Sequence, residues 1–173
     1  MSNSGAVTSS GTAIKHFLDE RQDLPNNVHI VGEAWLREDI RRPDAVEYTT
    51  TILNEHRDSL ETRDVSNIVI IGSSKGGGPA MSCVVQDPEC WSAGVVLVST
   101  LGGERWSQDE FITDVQNSVL LMVGSREPIR LQLKMAALRD NLRDAGKDAM
   151  LYIAEGGKHG FLGTHEEAQE RIR

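Results

Sequence analysis

The fold is decided by the stretch Asn67-Ile-Val-Ile-Ile-Gly-Ser-Ser-Lys-Gly-Gly-Gly-Pro79. It opens with an apolar run typical of a buried strand, and a helix is expected from Pro79 onward. Between them, Gly72-Ser-Ser-Lys-Gly76 has the pattern G-x-S-x-G, which predicts a sharp turn that strains Ser74 and exposes its hydroxyl. Gly72 and Gly76 are expected to let the strand and the helix approach closely enough for this corner. Ser74 is therefore a candidate nucleophile.

Two later motifs supply the other residue types of nucleophilic catalysis. The apolar run 119–123 predicts a strand that continues into Gly124-Ser-Arg-Glu127-Pro128, a loop with a carboxylate. The run 150–154 predicts another strand, followed by Glu155-Gly-Gly-Lys-His159-Gly-Phe161, a glycine-rich loop with a histidine. A histidine can take the proton of a serine hydroxyl, and a carboxylate can orient that histidine.

This combination resembles the α/β-hydrolase superfamily, most closely its dienelactone-hydrolase-like and prolyl-oligopeptidase-like esterases. The resemblance covers roughly residues 64–163 and rests on the three motifs just quoted. It implies Ser74 as nucleophile, Glu127 as acid and His159 as base, in the chain order that this fold requires. The family usually has Asp at the position of Glu127, so the longer side chain must retract to meet the same imidazole. Glu104 is the rival acid, because some members place the carboxylate one strand earlier.

The resemblance also implies an oxyanion hole formed by two backbone N–H groups. One would belong to Lys75, at a helix N-terminus whose dipole favours negative charge, and the other to the loop around Ser10. Only residues 1–10 precede the first expected helix, where the family has opening strands, so we expect a minimal or N-terminally truncated member. Three possibilities remain open. The tail forms a short strand, the sheet closes up in a changed order, or another chain or a removed part of this one supplies the strand.

Alternating strand-like and helical runs predict the architecture. Because several of the strand-like runs are apolar throughout, we expect a three-layer α/β/α sandwich, with a mainly parallel sheet of about five strands covered on both faces. A single domain over residues 1–173 is expected, with residues 1–10 as a loop or tail. The expected strands are 28–31, 68–71, 93–99, 119–123 and 149–154. The expected helices are 12–23, 43–60, 79–86, 108–115, 130–145 and 164–173, with Gly146 closing the fifth.

Composition narrows the class of protein. The net charge of −8 argues against a nucleic-acid backbone or an anionic membrane as the main partner. No apolar run approaches the roughly 20 residues of a membrane span, and the N-terminus lacks the features of a signal peptide. Cys83 and Cys90 fit neither a disulfide framework nor a zinc pattern, so two reduced thiols in a cytoplasmic protein are expected. We expect no metal and no cofactor.

The sequence therefore predicts a serine hydrolase that cleaves a carboxylic ester or thioester of a small-molecule acyl substrate. One alternative is a non-catalytic α/β-hydrolase-like binding module or subunit of a larger assembly. A second is a short-chain dehydrogenase, because Gly72-x-x-x-Gly76-x-Gly78 matches its glycine-rich turn. Against the dehydrogenase, a strand and a helix precede the turn, and neither Tyr48 nor Tyr152 has a lysine four residues later. An unfilled sheet position would favour a homo-oligomer or a partner chain.

Overall fold

Four parallel strands form the sheet at the centre of the described structure. The computed structural model of the protein describes residues 69–89, 91, 94–100 and 109–171. Within these residues the strand order in the sheet follows the chain. The strands are β1 (Val69–Ser73), β2 (Gly94–Val98), β3 (Val119–Gly124) and β4 (Ala149–Ala154). The strands predicted from residue 68 onward are thus confirmed, whereas the one predicted at 28–31 lies outside the described residues.

The parallel register aligns the carboxyl ends of the strands. Ser73 at the end of β1 is paired with Val98 at the end of β2, and Val98 is paired with Met122 in β3. Met122 is in turn paired with Tyr152 in β4. The segments that follow the four strands therefore begin at one edge of the sheet, which is where ligands bind in open parallel sheets.

The described helices lie close to their predicted positions. They are α1 (Gly77–Gln86), α2 (Asp109–Asp114), α3 (Ile129–Asp144) and α4 (Glu166–Glu170), with 3₁₀ turns at Ser74–Gly76 and Phe161–Gly163. The predicted helices 12–23 and 43–60 lie outside the described residues. No helix in the described ranges is both long and apolar enough to cross a membrane.

The end of α3 follows from one glycine. Gly146 has φ +74°, a left-handed conformation that glycine adopts without a Cβ penalty. Its N–H donates to the carbonyl of Arg143 at 2.9 Å, and the N–H of Lys147 donates to the carbonyl of Leu142 at 2.9 Å. These two bonds satisfy the last carbonyls of the helix in a Schellman motif, as the sequence predicts for Gly146.

Apolar side chains cover both faces of the sheet. On one face Leu97 and Leu121 pack in a cluster that includes Met81 of α1 and Leu138 of α3. The alternate strand residues, among them Val98 and Met122, form a second cluster on the other face. That cluster also contains residues from the end of the chain, namely Phe161, Leu162 and Ala168. The described part of the chain is therefore an α/β/α sandwich, and its sheet places four loops at one edge.

Candidate active site

The corner after β1 holds Ser74 in a strained backbone conformation. β1 ends at Ser73, and Ser74 begins a 3₁₀ turn that runs directly into α1. The φ of Ser74 is +53°, in the left-handed region. A non-glycine residue there costs on the order of 1–3 kcal/mol and persists only where the surrounding structure imposes it. The strand-turn-helix corner is thus formed as the G-x-S-x-G pattern predicts.

Two glycines at this corner leave room for close packing. They are Gly72 and Gly77, rather than the predicted Gly72 and Gly76. A Cβ at Gly72 would lie 2.6 Å from the Cβ of Ala80 and 2.8 Å from the Cα of Gly77, so the prediction for Gly72 is confirmed. A Cβ at Gly76 would meet no described atom within 4 Å, and its φ of −71° suits any residue. The prediction for Gly76 is wrong because the close approach falls one residue later. At Gly77 a Cβ would lie 2.5 Å from Oγ1 of Thr100.

Glu127 is the buried member of the site. It lies in the acid loop (residues 125–128) between β3 and α3, and its side chain is 1% exposed. Its Oε1 lies 2.8 Å from Nδ1 of His159, while its Oε2 accepts the Gly124 N–H at 2.9 Å and the Ser99 hydroxyl at 2.6 Å. The Glu127 N–H donates back to the Gly124 carbonyl at 3.1 Å. The side chain therefore folds over its own turn, which gives the retraction that the sequence requires of a glutamate at this position.

His159 lies in the histidine loop (residues 155–160), which packs directly on the acid loop. The N–H of Arg126 donates to the carbonyl of Gly157 at 2.9 Å. A Cβ at Gly124 would overlap that same carbonyl, so glycine at the end of β3 is what lets the two loops touch. The imidazole stays open to solvent, with 56% of the side chain exposed. A substrate can therefore reach the ring while its loop remains fixed.

A second histidine anchors the far end of the histidine loop. Nε2 of His165 donates to the carbonyl of Glu155 at 3.0 Å, and its Nδ1 accepts the N–H of Ala168 at 3.3 Å. This pattern requires a neutral ring with the proton on Nε2. His165 therefore links the start of the histidine loop to α4.

Ser74, His159 and Glu127 form one hydrogen-bonded chain across three loops. The Ser74 hydroxyl oxygen lies 3.1 Å from Nε2 of His159, and Nδ1 of the same ring lies 2.8 Å from Oε1 of Glu127. Because an ionised carboxylate can only accept, we assign the ring proton to Nδ1, which leaves Nε2 free to accept from the serine. The geometry suits removal of a proton from the Ser74 hydroxyl.

Other predicted residues divide between the site and the undescribed part of the chain. Lys75 is the second residue of the 3₁₀ turn, and its N–H is among those that a helix start leaves without an intrahelical acceptor. Ser10, Glu104 and Cys90 lie outside the described residues. Residues 1–10, on which the three possibilities for the opening strand depend, also lie outside the described residues. Among residues that the structure describes, no group of three or more His, Cys, Asp or Glu side chains is placed to hold a metal ion.

Sequence reasoning missed Ser99. The sequence prediction includes Ser99 only as the last residue of the expected strand 93–99. Its hydroxyl nevertheless makes the shortest of the three contacts to the Glu127 carboxylate. The available signal was a hydroxyl residue directly after a strand, at the edge of the sheet where Ser74 was expected. What could not be read from the sequence is the contact across a separation of 28 residues.

Comparison with known proteins gives matches by structure alone. No family model and no curated protein matches the chain by sequence. A predicted CIB-like hydrolase of Thermoplasma acidophilum has 25% identity and a TM-score of 0.54, and the match covers 78% of this chain and 58% of that one. Naproxen esterase of Bacillus subtilis has 12% identity and a TM-score of 0.55, with coverages of 84% and 69%. Carboxyl esterase 2 of Tuber melanosporum has 15% identity and a TM-score of 0.57, with coverages of 79% and 60%.

The chain spans only part of the length of these proteins. The chain corresponds to less than two thirds of the length of the Thermoplasma and Tuber proteins, at 58% and 60%. Further solved structures with the same fold include an esterase of Pyrobaculum calidifontis, at a TM-score of 0.54. Together with the parallel sheet and its flanking helices, they show that the chain has an α/β-hydrolase-like fold.

Proposed function

We propose that this protein is a serine hydrolase that cleaves a carboxylic ester or thioester through an acyl-enzyme on Ser74. One observation carries the proposal, namely the chain of contacts from the Ser74 hydroxyl through His159 to Glu127, at 3.1 Å and 2.8 Å. A nucleophile within about 2.6–3.2 Å of a base that a third group orients is the arrangement of an activated serine.

In the first half-reaction the Ser74 oxygen attacks the carbonyl carbon of the substrate. The hydroxyl proton moves to Nε2 of His159, and the Glu127 carboxylate stabilises the imidazolium through the proton on Nδ1. When the tetrahedral intermediate collapses, the bond to the leaving alcohol or thiol breaks, and Nε2 returns the proton to that group. In the second half-reaction a water molecule gives its proton to Nε2 and attacks the acyl carbon. The acid leaves, and the proton returns to Ser74.

Negative charge on the attacked oxygen needs hydrogen-bond donors. We assign the N–H of Lys75 to this role, because it follows the nucleophile at the start of the turn that leads into α1. A second N–H from the segment around Ser10 stays a prediction. Removing one such donor typically costs about 3–4 kcal/mol of transition-state stabilisation.

The structural neighbours support the choice of substrate class. Two of those compared are carboxylesterases, naproxen esterase of Bacillus subtilis and carboxyl esterase 2 of Tuber melanosporum. The exposure of the His159 ring suits a small acyl substrate at an open site. The narrower resemblance to dienelactone-hydrolase-like and prolyl-oligopeptidase-like esterases stays a prediction.

A fluorophosphonate probe tests the proposal, because it reacts covalently with an activated serine. We expect labelling of the wild-type protein and none of Ser74→Ala. Ser73→Ala is the matched control, since it removes the neighbouring hydroxyl and should keep the label. Mass spectrometry of the peptide that contains both serines would identify the labelled residue.

The other outcomes point to other functions. A folded wild-type protein that takes no label would contradict the hydrolase and favour a binding module. Energy transfer from the protein to an added nicotinamide cofactor would favour a dehydrogenase. A label that survives Ser74→Ala and disappears in Ser73→Ala would move the nucleophile by one residue.

A further inference from the structure

We propose that Ser99 is a positioning residue that holds the Glu127 carboxylate in place for His159. The inference rests on the proposed function. Ser99 directly follows β2, whose last residue, Val98, is paired with Ser73 on one side and with Met122 on the other. The parallel register therefore places Ser99 between the corner that carries the nucleophile and the loop that carries the acid.

The hydroxyl of Ser99 acts on the carboxylate oxygen that the imidazole does not use. Oε2 of Glu127 accepts from the Ser99 hydroxyl at 2.6 Å and from the Gly124 N–H at 2.9 Å, whereas Oε1 faces His159 at 2.8 Å. One oxygen is thus fixed to the sheet and the other is left for the ring. Because the carboxyl group is buried, a lost donor cannot be replaced freely by water.

The backbone at Ser99 is strained in the same way as at Ser74. Its φ is +51°, its residue exposure is 3%, and its N–H donates to the Met122 carbonyl at 2.8 Å. Glycine would adopt this conformation with less strain. A buried serine in a left-handed conformation, with its hydroxyl on the acid of the candidate site, indicates that the hydroxyl is the reason for the strain.

The segment after β2 also reaches the nucleophile corner. Thr100, the next residue, lies where a Cβ on Gly77 of α1 would meet it at 2.5 Å. Ser99 contacts the acid and Thr100 packs on the helix that follows the nucleophile. Two adjacent residues therefore fix the separation between Ser74 and Glu127.

This arrangement gives a reason for glutamate at position 127. The side chain folds back over its own turn, and the Ser99 hydroxyl holds it there while Oε1 still reaches the ring. A shorter aspartate could not keep both contacts without a shift of the acid loop. We therefore expect Glu127→Asp to lower kcat rather than to leave it unchanged.

The test compares Ser99→Ala and Ser99→Gly with Ser118→Ala. Ser118 donates to the carboxylate of Asp148 at the same distance of 2.6 Å, but this contact is exposed and lies at the amino end of the strands. We expect both Ser99 variants to lower kcat for p-nitrophenyl acetate about 10- to 100-fold, the effect of one hydrogen bond to a charged group, with KM within about twofold. Ser118→Ala should leave both constants unchanged.

Two further readouts separate positioning from folding. The downfield proton resonance of the His159 Nδ1–H should shift or broaden in Ser99→Ala and stay in place in Ser118→Ala. Ser99→Gly relaxes the backbone at positive φ, so it remains informative if Ser99→Ala fails to fold. Wild-type kcat in Ser99→Gly, or in a folded Ser99→Ala, would overturn the inference. If the wild-type protein takes no fluorophosphonate label and shows no hydrolysis, the proposed function itself has failed.

Discussion

The two ends of the parallel strands carry the same polar contact in opposite surroundings. At the carboxyl end, the Ser99 hydroxyl donates to Glu127 at 2.6 Å, and at the amino end the Ser118 hydroxyl donates to Asp148 at 2.6 Å. The first contact is buried and the second is exposed. The buried contact continues through His159 to the Ser74 hydroxyl, whereas the exposed one has no such continuation among the described hydrogen bonds.

Backbone strain differs between the two ends as well. Among the described residues, Ser74 and Ser99 are the non-glycine residues with positive φ, and both lie at the carboxyl end. At the amino end positive φ falls on Gly94, the first residue of β2, and on Gly146 before β4, and two glycines of the histidine loop also have positive φ. Among the described residues glycine thus has positive φ at both ends, whereas hydroxyl residues have it only at the carboxyl end, which is the pattern expected where side chains perform chemistry.

The largest expected effect is at the histidine. His159→Ala removes the proposed base, so we expect kcat for p-nitrophenyl acetate to fall about 10⁶-fold, to the level left by the oxyanion hole and binding alone. The melting temperature should stay within a few degrees, because 56% of the side chain is exposed. Steady-state assays and a thermal melt measure the two quantities. Unchanged activity would remove His159 from the mechanism.

Two carboxylate substitutions compare the carboxyl and amino ends of the strands directly. Glu127→Gln should lower kcat about 10⁴-fold, since the imidazole loses the charge that orients it and stabilises its protonated form. Asp148→Asn makes the same change of charge at the amino end of the strands. It should alter kcat less than twofold, because the exposed contact of Asp148 contributes little to stability. Equal losses of kcat in the two variants would mean that burial does not distinguish the two carboxylates. If Glu104→Gln is the crippled variant instead, the acid lies one strand earlier.

The smallest expected effect concerns two glycines. Gly146→Ala at the amino end places a Cβ at φ +74° with no described atom within 4 Å, and the strain should lower the free energy of unfolding by about 1–2 kcal/mol. Gly77→Ala at the carboxyl end meets Thr100 at 2.5 Å and should also displace the segment that holds Glu127. Urea denaturation should show a loss of stability in both variants, with kcat reduced only in Gly77→Ala. A fully active Gly77→Ala would contradict the role given to this contact.

Local patterns made most of the fold predictable. The apolar runs at β2, β3 and β4 lie within one residue of the observed strands. β2 and β3 are buried almost throughout, and parallel strands buried on both faces have a continuous apolar sequence. Ser74, Glu127 and His159 could be selected because each follows such a strand within a recognisable motif. The end of α3 at Gly146 was predictable as well, because this glycine directly follows an amphipathic run.

Contacts between distant segments were not predictable. Whether Gly76 or Gly77 is crowded depends on the position of Thr100, and Thr100 reaches α1 only because β2 lies beside β1. The contact between Ser99 and Glu127 likewise depends on the register of β2 against β3. Sequence supplies the residue types, but the pairing of strands decides which of them meet.

The proposed acyl transfer to Ser74 can be measured most directly by mass spectrometry. The protein is mixed with p-nitrophenyl acetate, quenched in acid during turnover and digested. We expect a peptide that contains Ser74 to carry one acetyl group, with the adduct absent in Ser74→Ala and present in Ser118→Ala. Turnover with no adduct on Ser74, or an adduct that persists in Ser74→Ala, would contradict an acyl-enzyme at this corner.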